Sequence, residues 1–138
     1  MTIVEFPPWE DHTNDTFIPL ISNEDRYLIL YGSRGSSKSN FTAKKLIYRC
    51  LNEDYFRYIL IRREYNKIQD SSYREIKDAV EEMGLSKLFT FNVSPLRITC
   101  NNGNSFIARG CDDPASLKSI KDPTGVWWEE DVPDEEDF

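Results

Sequence analysis

No long apolar run occurs in this 138-residue chain, so no segment is predicted to cross a bilayer as a helix. Met1 does not open a basic stretch followed by an apolar one, and no secretion signal is expected. Histidine is nearly absent. His12 stands alone in a polar segment and reads as solvated loop. Cys50, Cys100 and Cys111 are odd in number and lack metal-ligand spacing, which points to reduced packing residues of an intracellular protein. There is no internal repeat and no linker long enough to divide domains. What remains is the composition of one folded domain with a modest core, 39% hydrophobic and 13% aromatic.

The charge is unevenly placed. Seven of the 24 acidic residues fall in the last ten positions, from Glu129 to Asp137, which leaves 17 acidic and 17 basic side chains in residues 1–128. The net charge of −7 therefore belongs to one end of the chain and does not exclude a polyanion-binding face elsewhere.

Residues 1–24 are rich in Pro, Asp, Asn and Thr and read as an irregular lead-in, with an apolar touch-point at Phe17-Ile18-Pro19-Leu20. Arg26–Tyr31 is an almost unbroken apolar run, the pattern of a strand buried in a parallel sheet. From Lys38 to Leu51, apolar Phe41, Leu46, Ile47, Cys50 and Leu51 predict a helix with Lys44, Lys45 and Arg49 on its other faces. Tyr55–Ile61 predicts a second strand. Ser71 or Ser72 is expected to cap a helix carrying Ile76, Ala79, Val80 and Met83, which Gly84 ends. Leu88–Val93, Leu96–Cys100 and Ser105–Arg109 are short strand-like runs. Asn101-Asn102-Gly103-Asn104 between the last two predicts an antiparallel hairpin.

Between the first strand and the first helix lies Gly32-Ser33-Arg34-Gly35-Ser36-Ser37-Lys38-Ser39. Gly32, Lys38 and Ser39 occupy three of the four fixed positions of a phosphate-binding loop, with Ser37 in place of its second glycine. Small residues there let successive backbone N–H groups curl around phosphate oxygens, and the helix that follows points its positive end at the same anion. Lys38 is expected to reach the β- and γ-phosphates of ATP, and the Ser39 hydroxyl to join the shell of Mg²⁺.

A second constellation lies at the other end. The apolar run Gly125-Val126-Trp127-Trp128 passes directly into Glu129-Glu130-Asp131. A phosphate-loop enzyme needs carboxylates at such a strand end, one toward the metal and one to activate water. Glu129 is assigned to Mg²⁺ and Glu130 to the water, with Asp131 able to substitute for either. The same run read alone is a solvated acidic tail.

Taken together, these residues resemble the N-terminal ATPase part of the terminase large subunit of tailed bacteriophages, the motor that packs DNA into the capsid. The resemblance rests on the arginine-bearing loop Tyr31–Ser39, on Ile59-Leu60-Ile61-Arg62-Arg63 with Ser71-Ser72-Tyr73, on Phe106–Asp113 with Leu117–Ile120, and on Val126-Trp127-Trp128-Glu129-Glu130. It implies an α/β fold of the P-loop NTPase (ASCE/RecA-like) type: a parallel sheet with flanking helices and an inserted β-hairpin, incomplete at the carboxyl-terminal end. Residues 25–138 would form this partial ATPase domain. The resemblance also places Arg34 against the γ-phosphate, where a planar cation neutralises the charge of the transferring group. Arg62 and Arg63 would face nucleotide, DNA or a neighbouring subunit, and Phe17, Pro19 and Arg26 the adenine. The implied partners are double-stranded DNA, the capsid portal and the small terminase subunit, in a homo-oligomeric ring in the cytoplasm of an infected bacterial host. No acidic cluster for a nuclease is present, so nuclease activity is not expected of these residues. Two other readings stand beside this one: a P-loop ATPase of helicase or recombinase type, and a nucleotide-binding assembly fragment without turnover.

Overall fold

The computed structural model of the chain describes Pro8, residues 38–112 and residues 114–128. The strand expected at Arg26–Tyr31, the loop residues Gly32 to Ser37 and the acids from Glu129 onward lie outside the described residues.

Helix α1 (Lys38–Asn52) buries Phe41, Ala43, Leu46, Ile47 and Cys50, the spacing of one helical face. Lys44 departs from expectation. It is wholly buried, and its ammonium donates to Glu82 Oε1 at 3.1 Å. The second helix packs alongside α1 and offers a half-exposed carboxylate to the head of Lys44.

Strand β1 (Arg57–Arg62) begins two residues later than expected, because the Phe56 N–H is taken by the side chain of Asn104 and Tyr55 stays exposed. Helix α2 (Ser72–Glu82) buries Tyr73, Ile76, Ala79 and Val80. Its end is closed by Gly84 at φ 72, with Leu85 N donating to Val80 O and Gly84 N to Glu81 O, at 2.9 and 3.1 Å. Its start is not closed as expected. The Ser71 hydroxyl turns back to the carbonyls of Lys67 and Ile68 and caps nothing. Strands β2 (Phe89–Val93), β3 (Leu96–Cys100) and β4 (Ser105–Gly110) follow as two successive hairpins. Gly103, at φ 94, supplies the left-handed position in the turn between β3 and β4. A short helix α3 (Pro114–Lys118) then leads to β5 (Gly125–Trp128).

The strands form one sheet in the order β2-β3-β4-β1-β5. β1 runs parallel to both β4 and β5, whereas β3 is antiparallel to β2 and β4, so the sheet is mixed, not purely parallel. Register sorts the side chains into two faces. Tyr58, Leu60, Phe106, Ala108 and Trp127 share the face that α1 and α2 cover, and there the core forms with Ile47, Ile76, Val80 and Ile98. Ile59, Ile61, Ile107, Arg109, Val126 and Trp128 share the other. On that face Arg109 Nε donates to Ser116 O of α3 at 3.3 Å. The middle of β1, Ile59 to Ile61, and Phe106 to Ala108 of β4 are apolar and buried on both faces, the pattern of central parallel strands. In β5 only Trp127 turns toward the core, and Val126 and Trp128 are about half exposed.

Candidate nucleotide site

The direction of α1 follows from its carboxyl end. Asn104, 4% exposed, sits in the hairpin turn and donates through Nδ2 to Cys50 O and Glu53 O, at 2.9 and 2.8 Å. Its Oδ1 accepts from Phe56 N at 2.9 Å. Asn102 Nδ2 adds a second donor to Cys50 O, at 3.0 Å. The last carbonyls of α1, which a helix cannot satisfy internally, are therefore bonded to the point where β1 starts. Arg49 strengthens the same corner. It pairs with Glu53 at 2.6 Å, and its guanidinium lies 5.7 and 5.5 Å from the rings of Phe56 and Tyr58, which stack on each other. Partial burial would lower the Arg49 pKa, and the Glu53 carboxylate outweighs that and leaves it raised. Cys50, at this corner, is held protonated by its hydrogen bond to the Cys100 thiol and by burial.

With its carboxyl end fixed at the amino edge of β1, α1 runs back along the sheet, and its core residues meet Leu60 and Ala108 on the way. A 15-residue helix spans about 22 Å and a six-residue strand about 20 Å, so the amino end of α1 comes to the carboxyl edge of β1. Ligands of open α/β sheets bind at that edge. Lys38 and Ser39 open the helix there, and its first turn carries no acidic residue to compensate the positive end.

Three other elements end or begin at the same edge. β1 finishes with Arg62, and the carbonyls of Arg62 and of Arg63 after it accept from Cys111 N and Asp112 N at 3.0 and 3.2 Å, so the alignment with β4 continues past both strands. Gly110 is required in this arrangement, since a Cβ there would fall 2.6 Å from Tyr65 N. α2 begins at Ser72. β5 reaches the edge with Trp128, paired with Ile61, and Glu129 is the next residue in the chain. Gly125 at its start lies against the Tyr58 ring, in space a side chain would need.

A family model described as phage terminase large subunit matches residues 24–136. The chain belongs to this family. It is 36% identical over 107 residues to the PBSX phage terminase large subunit of Bacillus subtilis (strain 168), a match covering 78% of this chain and 24% of that protein. It is likewise 36% identical over 107 residues to the terminase large subunit of Bacillus phage SPP1, covering 74% of this chain and 25% of that protein. The chain spans about a quarter of the length of these curated relatives.

Of the site residues read from this terminase sequence, Lys38 and Ser39 fall in the first turn of α1. Gly32, Ser33, Arg34, Gly35, Ser36, Ser37, Glu129 and Glu130 lie outside the described residues, as do Phe17, Pro19 and Arg26. Ser39 brings a hydroxyl, the hard oxygen donor that Mg²⁺ accepts. That ion keeps several waters and takes few protein ligands, so this donor chemistry fits it. Among the described residues no cluster of three or more His, Cys, Asp or Glu side chains could hold a metal, and no helix is long and apolar enough to cross a membrane. The clamp by Asn102 and Asn104 was not evident from sequence. Those residues announce a turn, and only the fold shows that their amides also close α1.

Proposed function

We propose that this chain is the ATP-binding and hydrolysing part of a terminase large subunit that drives double-stranded DNA into a capsid. The observation that carries the reading is the frame. A helix opening on Lys38-Ser39, with no acid in its first turn, starts at the edge where β5 delivers the chain to Glu129-Glu130. In this reading the loop residues Gly32, Ser33, Gly35, Ser36 and Ser37 turn their N–H groups to the phosphates, and Lys38 contacts the β- and γ-phosphates. Ser39 and Glu129 would hold Mg²⁺, which when bound neutralises charge on the phosphate oxygens. Glu130 orients the attacking water and accepts its proton, and Arg34 offsets the charge that develops on the transferred group. Partners belong to the same proposal: portal, small terminase subunit and a ring of like subunits, in the cytoplasm of an infected bacterial host.

Two substitutions in the complete large subunit test it. Lys38→Ala is expected to abolish ATP binding, measured by titration calorimetry. Glu130→Gln is expected to keep binding and lower the ATPase rate by at least about a hundredfold. Unchanged binding in the first and an unchanged rate in the second would remove the assignment.

A further inference from the structure

None of the five strands carries an acidic residue, although acids outnumber bases in the chain as a whole. Register places Arg97 and Thr99 of β3 on the sheet face away from α1 and α2, with Asn92 and Thr90 of β2 directly opposite them. Along β4 and β1 this face is roofed by the chain that connects β4 to β5. Arg109 Nε donates to Ser116 O and Arg57 Nη1 to Lys121 O, at 3.3 and 2.7 Å. Asp112 and Asp122 of that connection are tied to the β1 side, the Asp112 N–H by Arg63 O and the Asp122 carbonyl by Tyr55 OH. Along β2 and β3 the face is open. Thr90, Asn92 and Arg97 are exposed there, and Thr99 is half-buried.

Arg97 differs from other arginines of the fold. Arg49 and Arg74 are spent on carboxylates, Arg57 and Arg109 on carbonyls. The Arg97 guanidinium makes no hydrogen bond, ion pair or ring contact among the described residues. The opposite layer has the other sign, since α2 sets Glu75, Asp78, Glu81 and Glu82 against Arg74 and Lys77. A polyanion is therefore drawn to the open hairpin surface and turned away from α2.

We propose that the open surface of the β2–β3 hairpin is a contact for the sugar-phosphate backbone of double-stranded DNA, with Arg97 at its centre. The guanidinium fork donates to phosphate oxygens. The Asn92 amide lies about 5 Å across from Arg97, and the Thr99 hydroxyl about 7 Å along β3, with Thr90 beside it. These groups donate to neighbouring phosphate oxygens and read no base, so the contact is indifferent to sequence, as a motor advancing along any duplex requires. This placement, which rests on the reading of the chain as part of a DNA motor, adds the surface that the duplex touches.

The test uses the complete large subunit and two labelled 30-base-pair duplexes of unrelated sequence. Binding is followed by anisotropy over a range of salt concentrations for the parent, Arg97→Ala, Arg97→Lys and Lys77→Ala. Arg97→Ala should lose about tenfold in affinity for both duplexes, the worth of one charge-assisted contact. Its plot of log affinity against log salt should flatten by about one. Arg97→Lys, which keeps the charge without the fork, should keep the parent slope and recover most of the affinity. Lys77→Ala removes an equal charge from α2, on the opposite layer, and should bind as the parent does. Arg97→Ala should also melt with the parent and keep its affinity for ATP. Unchanged DNA affinity in Arg97→Ala, an equal loss in Lys77→Ala, or a loss explained by lower melting would each overturn this inference alone. If the parent binds neither duplex, the DNA reading fails and takes this one with it.

Discussion

The two edges of the sheet are finished differently. At the amino edge of the parallel strands, polar groups are matched one by one. Asn104 and Asn102 take up the end of α1, Arg57 N donates to Thr124 Oγ1 at 3.0 Å, Arg57 Nη1 to Lys121 O at 2.7 Å, and Tyr55 OH to Asp122 O at 2.8 Å. At the carboxyl edge the backbone is joined between β1 and β4, yet both first-turn hydroxyls of α2, on Ser72 and Tyr73, are buried without partners among the described residues. The amino edge serves the fold. At the other, α1 starts without an acidic residue in its first turn, and its positive end suits an anion.

The contrast can be broken from either side. Asn104→Ala should have the largest effect, removing three hydrogen bonds together, two of them buried, and costing about 3 kcal/mol of stability in denaturant titration. Nucleotide affinity of the folded fraction should stay unchanged. A loss well under about 1 kcal/mol would mean the amino edge does not depend on this clamp. Arg49→Ala acts at the same corner. It removes a half-exposed ion pair and two ring contacts and should cost about 1 kcal/mol, little changed by salt if the ring contacts dominate. A cost that vanishes in high salt would assign the effect to Glu53 alone.

Tyr73→Phe, at the opposite edge, should have the smallest effect: neutral or stabilising by up to about 0.5 kcal/mol at neutral pH, since the lost hydroxyl has no partner. Its pH signature is sharper. Burial raises the Tyr73 pKa in the folded state, so the unfolded chain releases this proton first as pH climbs. The Tyr73 contribution is fully present below about pH 10 and is lost as pH rises toward the higher folded value. The variant should therefore lose less stability above pH 10 than the parent, measured by melting across that range. Equal alkaline losses would show that the hydroxyl is solvated after all.

Much of this architecture was legible residue by residue. The α1 periodicity, the Gly84 stop and the Asn-Gly turn each act within a few positions, so a linear reading finds them. Lys44 was misplaced because its environment is made by α2, which lies nearly forty positions away in the chain. The late start of β1 escaped for the same reason, being set by a side chain from the hairpin turn. The mixed sheet was readable only in part: turn chemistry announced one hairpin, but the edge position of β2 depends on which strands exchange hydrogen bonds. Of the site, the sequence pattern supplied the loop and the acids, and the fold supplied the frame of α1 and β5 with Lys38 and Ser39 at its corner. Ser71 or Ser72 looked like a cap, and Ser71 holds that position without using its side chain.

The clamp at Asn104 has a mechanical meaning. A stiff rod gripped at one end and loaded at the other can only pivot about the grip. Here the grip is the hairpin turn itself, so a small swing at the start of α1 becomes a torque on β3 and β4. Arg97, exposed on β3 at the end remote from that turn, is carried on the moving arm.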